Sequence, residues 1–329
     1  MKLPSEENLT EVFNSLAKNG FDFLEQAIEE VSTKPKFSVV HFSTGLELLL
    51  KARLFMEHWS LIATTPHKAT WTELTKEGGH TIGANDSLLT LEKLVGKPNK
   101  EARDAFSNAF NHRNRTLHFV PHEDQSQMVS EQFTAWYYLH KLLDGDWNNS
   151  FTNYTDRISS IESGLLGHRQ FLQNKYDDIK NKLEAPKSKG RLGLCYICNF
   201  ESVVVDDSKY SFFPGECQVC CWHGQTIRFD CGKLLPLEQL PLDCTCDAGS
   251  HSLEYIEPRT KDELNDPPQP WCLECGAQTI VDLPRNHEYL CLECKELHLI
   301  LGYCEKCFSV VAGGVSEDSM FLGCVACQW

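Results

Sequence analysis

Cysteine is absent from the first 194 residues of the 329-residue chain, so that stretch can hold neither a disulfide nor a thiolate metal site. No run of eighteen apolar residues occurs, which excludes a membrane-spanning helix of ordinary length. The opening residues, Met1 to Glu7, lack the apolar segment of a secretory signal, so a cytoplasmic protein is expected. Positive charge is scarce, with 31 Lys and Arg against 46 Asp and Glu, a net charge of −15. The deficit is uneven: residues 1–190 carry 22 basic and 25 acidic groups (−3), and residues 191–329 carry 9 and 21 (−12). Zinc would not reverse the second figure, because four thiolates around one ion keep a charge of about −2. A module this acidic is a poor general clamp for nucleic acid. Its expected role is recognition, regulation or assembly, with a protein partner.

All 16 cysteines lie between Cys195 and Cys327. Without an export signal, Cys-x-x-Cys pairs in such a cluster point to metal rather than disulfides. Six knuckles are present: Cys195/Cys198, Cys217/Cys220, Cys272/Cys275, Cys291/Cys294, Cys304/Cys307 and Cys324/Cys327. Taken in order they make three zinc ribbons, with 18, 15 and 16 residues between the paired knuckles. Val203–Val205, Phe212–Phe213, Thr279–Val281 and Leu297–Leu301 are the expected short strands. Cys221, Cys231, Cys244 and Cys246 remain, with His223 and His251 nearby. A fourth site could use Cys231, Cys244 and Cys246 with His251 or Cys221, or Cys217/Cys220 could interleave with Cys244/Cys246. Three or four zinc ions per chain are therefore expected. Four thiolates leave no position for water, so these zincs are structural.

The first half reads as helical. Residues 8–19 and 21–32 read as two short helices split by Gly20. Residues 36–63 read as one long helix with Val39, Phe42, Leu46, Leu49, Leu50 and Leu54 at helical spacing. Asp86 or Ser87 is expected to cap a helix ending at Leu94. Residues 98–119 form another helix, stopped by Pro121, and residues 125–143 a further one. Residues 155–184 carry a near-heptad stripe (Ile158, Ile161, Leu165, Leu172, Ile179, Leu183) that could pack on its own bundle or on a second copy. The expected class is thus α plus small zinc-ribbon β. The expected domains are a helical unit over 1–150, a long connecting helix over 151–186 and a cysteine-rich module over 187–329. The boundary falls within Leu183–Arg191, which contains Pro186 and Gly190.

One segment carries candidate chemistry: Asn111-His112-Arg113-Asn114-Arg115-Thr116-Leu117-His118. RNA brings its own nucleophile, the 2′-OH. Cleavage then needs a base, an acid and positive charge on the phosphorane. His118 can move protons near neutral pH, Arg113 can meet the phosphate charge, and Asn114 can orient by hydrogen bonds. No metal is required. On an ideal helix Asp104, Ser107, Asn111, Asn114 and His118 make a polar stripe, and Phe106, Ala109, Phe110 and Leu117 an apolar face. Arg113 points along that apolar face, about 140° from His118. An unpaired buried guanidinium is costly, so a polar cleft at a dimer interface, a salt bridge to a helix carboxylate or snorkelling to the surface is expected to accommodate it. One chain's Arg113 could serve the other chain's His118, or the helix could be irregular here.

In this segment the chain resembles the HEPN superfamily, whose ribonuclease motif is Arg-x(4–6)-His with a polar residue often following the Arg. His41–Ala52 looks like the long second helix of many HEPN domains, and Thr81–Ile82 and Leu91–Leu94 also fit. The likeness covers roughly residues 20–145. It implies a helical bundle that forms a homodimer, a catalytic site built from two copies, and RNA products with 2′,3′-cyclic phosphate and 5′-OH ends. It also implies a toxin or anti-phage role. Two other readings stand beside it: a non-catalytic RNA- or protein-binding scaffold, and the partner of a nucleotidyltransferase in a toxin–antitoxin pair.

Overall fold

The computed structural model describes residues 4–76, 79–95, 99–118, 124–205, 212–228, 234–237, 243–246, 249–252, 270–283, 288–304, 306 and 309–313. The chain divides into two compact units, residues 1–175 and 176–329. The first is helical. The second is strand-rich and holds two groups of four cysteines. Among the described residues no helix is long and apolar enough to cross a membrane.

In the helical unit, α1 (Glu6–Glu30) starts at Ser5, whose hydroxyl accepts the Asn8 N–H, and α2 (Pro35–Glu57) starts at a proline where a helix tolerates one. Gly20 does not split α1, contrary to expectation. It lies against Gly45 of α2: a Cβ on Gly45 would sit 2.7 Å from the Gly20 carbonyl oxygen and 2.8 Å from Leu24. These glycines let two backbones approach, so the helix propensity they lose is offset by packing. Gly45→Ala should cost about 1–3 kcal/mol, the scale of overpacking. Gly167, whose added Cβ would meet nothing within 4 Å, is the control. Urea unfolding that shows equal stability for Gly45→Ala and Gly167→Ala would contradict this crossing.

Helix α2 is the core helix, buried nearly all round by Phe42, Leu46, Leu49, Leu50 and Leu54. It ends at Glu57 rather than at residue 63. His58 turns extended, and its Nδ1 accepts the Ser60 N–H to open a 3₁₀ turn over Trp59–Ile62. A second 3₁₀ turn (Pro66–Lys68) and the short α3 (Trp71–Thr75) follow, and the Ala63–Thr81 bridge ties this loop back. Helix α4 (Ala84–Leu94) is capped by Gly83, not by Asp86 or Ser87; the Ser87 hydroxyl donates back to the Gly83 carbonyl. Helices α5 (Lys100–His118) and α6 (Gln125–Asp144) pack on α2 and on each other. Ser43 donates from α2 to the Ala109 carbonyl of α5 at 2.9 Å, and Gln132 of α6 donates to Ser38 of α2 at 2.7 Å.

The expected helix over 155–184 is two helices, α7 (Thr155–Leu165) and α8 (Arg169–Ser188). His168 between them stacks on Phe133 at 4.2 Å. Ile158, Ile161, Leu165, Leu172 and Leu183 are buried within this chain, and Ile179 is half-buried. Helix α8 runs through Pro186, and the division between the two compact units falls within it, after Lys175.

Glu162 of α7 lies 3.4 Å from His140 and 2.8 Å from Lys175. The His140 hydrogen bond, working against burial and helped by Lys175, holds its carboxyl down at about 2. A lowered folded pKa stabilises above the unfolded value of roughly 4.3 and loses that stability as pH falls towards the folded one. Glu162→Gln should therefore reduce stability at pH 6 and leave it little changed near pH 2. A stability loss equal at both pH values would refute the coupling.

In the second unit, β1 (Leu192–Leu194), β2 (Glu201–Val205), β3 (Phe212–Cys217), β4 (His223–Arg228) and β5 (Leu234–Pro236) form an antiparallel sheet in chain order. A hairpin pairs β6 (Asp243–Cys246) with β7 (Gly249–Ser252). Strands β9 (Ile280–Leu283), β10 (Glu288–Cys291) and β11 (Leu297–His298) form a second sheet. Strands β12 (Leu301–Tyr303) and β13 (Val310–Ala312) form a third with β8 (Trp271–Cys272), which pairs parallel to β13. The apolar run 297–301 is thus two strands broken at Leu299, which is exposed. Ile227 and Leu235 of the first sheet share a core with Val281, Leu283 and Leu290 of the second.

Candidate functional site

Two groups of four cysteines converge, and they are the first two expected ribbons: Cys195, Cys198, Cys217 and Cys220, then Cys272, Cys275, Cys291 and Cys294. Sulfurs of facing knuckles are 3.5 Å apart (Cys195–Cys220) and 3.6 Å apart (Cys198–Cys217, Cys272–Cys294, Cys275–Cys291). A disulfide would need about 2.05 Å. A tetrahedral zinc with Zn–S near 2.3 Å sets its sulfurs about 3.8 Å apart. The spacing therefore suits one metal ion per group, held by four thiolates with no open position for chemistry.

The backbone explains why each knuckle forms. In all four, the first cysteine's N–H bonds the carbonyl five residues on (Cys195 to Phe200, Cys217 to Trp222, Cys272 to Ala277, Cys291 to Glu296). In all four, the residue after the second cysteine has positive φ: Asn199, Cys221, Gly276 and Lys295. Backbone N–H groups then point at sulfur, as Val219 and Cys220 do at Cys217. The Cys217 thiol is pulled well below its ordinary range, first by its bonds from Cys195 and Cys198. At Cys291 burial pushes upward, but the N–H groups of Cys294 and Glu293 outweigh it and bring the thiol to about 7. Their neighbours Cys198, Cys220, Cys272 and Cys294 are pushed up in turn, so each group by itself favours one thiolate, and a metal's charge is what would ionise the rest.

The other expected ligands have different placements. Cys221 lies outside both groups; it is exposed and takes the left-handed turn position that Asn, Gly and Lys hold elsewhere. Cys304 is buried, and its N–H bonds the Ser309 carbonyl at 2.9 Å, the same closure as the four complete knuckles. Strand register sets Cys244 opposite His251, with Cys246 two residues further along. Cys231, Cys307, Cys324 and Cys327 lie outside the described residues. Sequence reasoning missed the groups that brace the sulfurs. Buried His298 places Nε2 3.2 Å from Cys272 Sγ, and the Ser202 hydroxyl lies 3.1 Å from Cys217 Sγ. Burial lowers the His298 pKa against the opposing pull of Glu274 and Glu296, which favours the neutral ring. The spacing Cys294-x-x-x-His298 was its signal.

On α5 the motif residues separate. The helix is continuous through His118, so it is not irregular, and the 140° offset of about five residues' rotation stands. Arg113 turns to α2, where its Nη1 donates to Glu47 Oε2 at 2.7 Å. Lys51 donates to Glu47 Oε1 at 2.6 Å and to Thr81 Oγ1 at 3.0 Å. Burial pushes the Glu47 pKa up, but Lys51 and Arg113 together outweigh it, so the carboxyl stays ionised. The salt bridge to a helix carboxylate is thus the one that forms within the chain. Asn114 and His118 are exposed on the polar stripe, and Leu117, expected on the apolar face, is 53% exposed. Within one chain Arg113 and His118 do not meet. Glu47, Lys51 and Thr81 were not singled out as site residues, although Glu47 and Lys51 already stood at i, i+4 on an apolar helix.

Compared with family models, curated proteins and solved structures, the chain matches none.

Proposed function

We propose that the chain is a HEPN-type, metal-independent endoribonuclease whose C-terminal module is held by structural zinc. The observation that carries the reading is the charge cluster between Arg113 of the motif helix and Glu47 and Lys51 of α2. One carboxylate, Glu47, lies between two cations, Arg113 and Lys51, which leaves a net charge of +1 at a guanidinium still 28% exposed. That is a preorganised seat for a phosphate. Exposed His118 supplies the proton transfers. The 2′-OH loses its proton to imidazole, O2′ attacks phosphorus, and the P–O5′ bond breaks as O5′ takes a proton. The products are a 2′,3′-cyclic phosphate and a 5′-OH. Because Arg113 and His118 diverge on one helix, the site is composite: Arg113 of one chain works with the partner's His118 across a two-fold axis near α5.

The same Glu47–Arg113 bridge favours a second reading, in which Arg113 merely fastens α5 to α2 in a binding scaffold. RNA incubated with the protein separates the two, since only the first predicts cleavage that persists with EDTA under conditions that leave the helical unit folded. Light scattering at micromolar concentration should give a dimer; an active monomer would refute the composite site. A toxin or anti-phage role follows from the HEPN likeness, and a neighbouring nucleotidyltransferase gene would favour the paired-partner reading. A cytoplasmic setting would offer RNA together with the reducing conditions that keep thiolates available for zinc.

A further inference from the structure

On the side of α5 away from Arg113, a cleft of about 210 Å³ opens between α5 and α6. Asn108, Asn111 and Arg115 line it from α5, recurring at three and four residues, and His118 continues that stripe one turn beyond Arg115. Gln127 and Glu131 line it from α6, with Asp124 at the cap of that helix. Buried His112 and Met128 complete the lining.

The acceptors in this cleft are fixed. Glu131 takes His112 Nε2 on one oxygen and Gln127 Nε2 on the other, both at 2.8 Å. Asp124 uses Oδ1 for the Ser126 N–H and hydroxyl, at 2.8 and 2.7 Å. The Ser126 hydroxyl leads in holding the Asp124 carboxyl below its ordinary range, so it remains an acceptor at neutral pH. Drug-sized ligands need roughly 300–1,000 Å³, and a water's share of liquid volume is about 30 Å³. This cleft is therefore sized for one planar ring system. Each carboxylate oxygen keeps a second lone-pair site, so the two carboxylates call for an edge with adjacent N–H donors, and the amides of Asn108 and Asn111 call for acceptors on the same ring. Guanine matches, with N1–H and N2–H₂ side by side and O6 and N7 beyond. Adenine and cytosine offer one exocyclic amine, and uracil a single ring N–H. A paired base hides this edge; an unpaired one presents it.

We propose that the cleft between α5 and α6 is a nucleobase subsite that takes an unpaired guanine of RNA, setting the adjoining phosphate towards His118. That the base belongs to RNA rests on the ribonuclease reading. The test uses the full chain with His118→Ala, so that binding is measured without cleavage. Single-stranded RNA octamers differing in one central base are titrated by fluorescence anisotropy, and wild-type protein is assayed in parallel for cleavage. The guanine octamer should bind about tenfold tighter or better, the discrimination of one bidentate edge contact. Asn108→Ala with Asn111→Ala should erase the preference and leave the other three affinities unchanged, and Gln127→Ala provides a second variant should the pair fail to fold. Equal binding of all four octamers would overturn the subsite even if wild-type protein cleaves, in which case the ribonuclease reading survives alone. A guanine preference that these variants remove, in a protein that never cleaves RNA, would support the subsite and reject the ribonuclease. A preference that survives both variants would place base reading elsewhere and overturn the proposal.

Discussion

Cys291→Ser should release more than one equivalent of zinc while leaving the helical circular dichroism signal almost unchanged. Structural zinc contributes roughly 10–16 kcal/mol of apparent binding free energy at neutral pH in small zinc-dependent folds, and that energy is folding energy. Removing one of four thiolates opens the second site and withdraws β10, the central strand of its sheet. The loss should not stop there. Cys272, a ligand of the same site, pairs through β8 with β13 at Ala312, and Cys272, Cys291, Ile280 and Ala312 share one core. The Cys304 knuckle closes onto the strands of that third sheet. A metal held at Cys304, as the third expected ribbon would have it, should therefore be lost or exchange faster. Helices α1 to α7 belong to the other compact unit and should persist. Cys221→Ser is the matched control: Cys221 is exposed at a turn and outside both groups, so metal content should not change. Elemental analysis reads both variants. Retention of all zinc by Cys291→Ser, or loss of an equivalent by Cys221→Ser, would overturn these assignments.

The two groups of four cysteines were legible because a tetrahedral thiolate site needs two knuckles, and Cys-x-x-Cys spacing states the geometry in the sequence itself. Glycine was not legible in the same way. Gly20 reads locally as a break and is instead a contact, because the residue that decides its role, Gly45, lies on another helix. The split at His168 is of the same kind. The apolar stripe runs on through it, and the helix is interrupted over residues 166–168, where Gly167 lies and the His168 ring stacks on Phe133 of α6. Charge pairing was legible in type though not in partner. An arginine on an apolar face demands an acid, and only the packing of α5 on α2 shows that Glu47 is that acid. His112 went unnoticed beside Arg113, yet it is the buried histidine of the helix and pairs with Glu131.

Mixing His118→Ala chains with Arg113→Ala chains should restore ribonuclease activity that neither has alone. Each substitution by itself should lower cleavage on the order of a hundredfold or more, the scale of losing an acid–base or charge-stabilising group. Asn114→Ala should lose less, since Asn114 is exposed and can only orient through hydrogen bonds. If Arg113 of one chain works with the partner's His118, a mixed dimer holds one site with both groups and one with neither. Random exchange makes half of the dimers mixed, so about a quarter of wild-type activity should return. A site contained in one chain would return nothing, and the continuous turn of α5 between Arg113 and His118 disfavours such a site. Glu47→Gln separates positioning from chemistry. It keeps a hydrogen-bond acceptor for Arg113 but removes the charge that Lys51 and Arg113 share. Its effect should fall on kcat, with dimer and zinc content intact, because the guanidinium is then less firmly aimed. A scaffold held together by that bridge would instead lose stability with no activity to lose. Product ends decide the chemistry directly: 2′,3′-cyclic phosphate and 5′-OH ends are expected, and 3′-OH with 5′-phosphate ends would mean an activated water as nucleophile, removing Arg113 and His118 from the roles given to them.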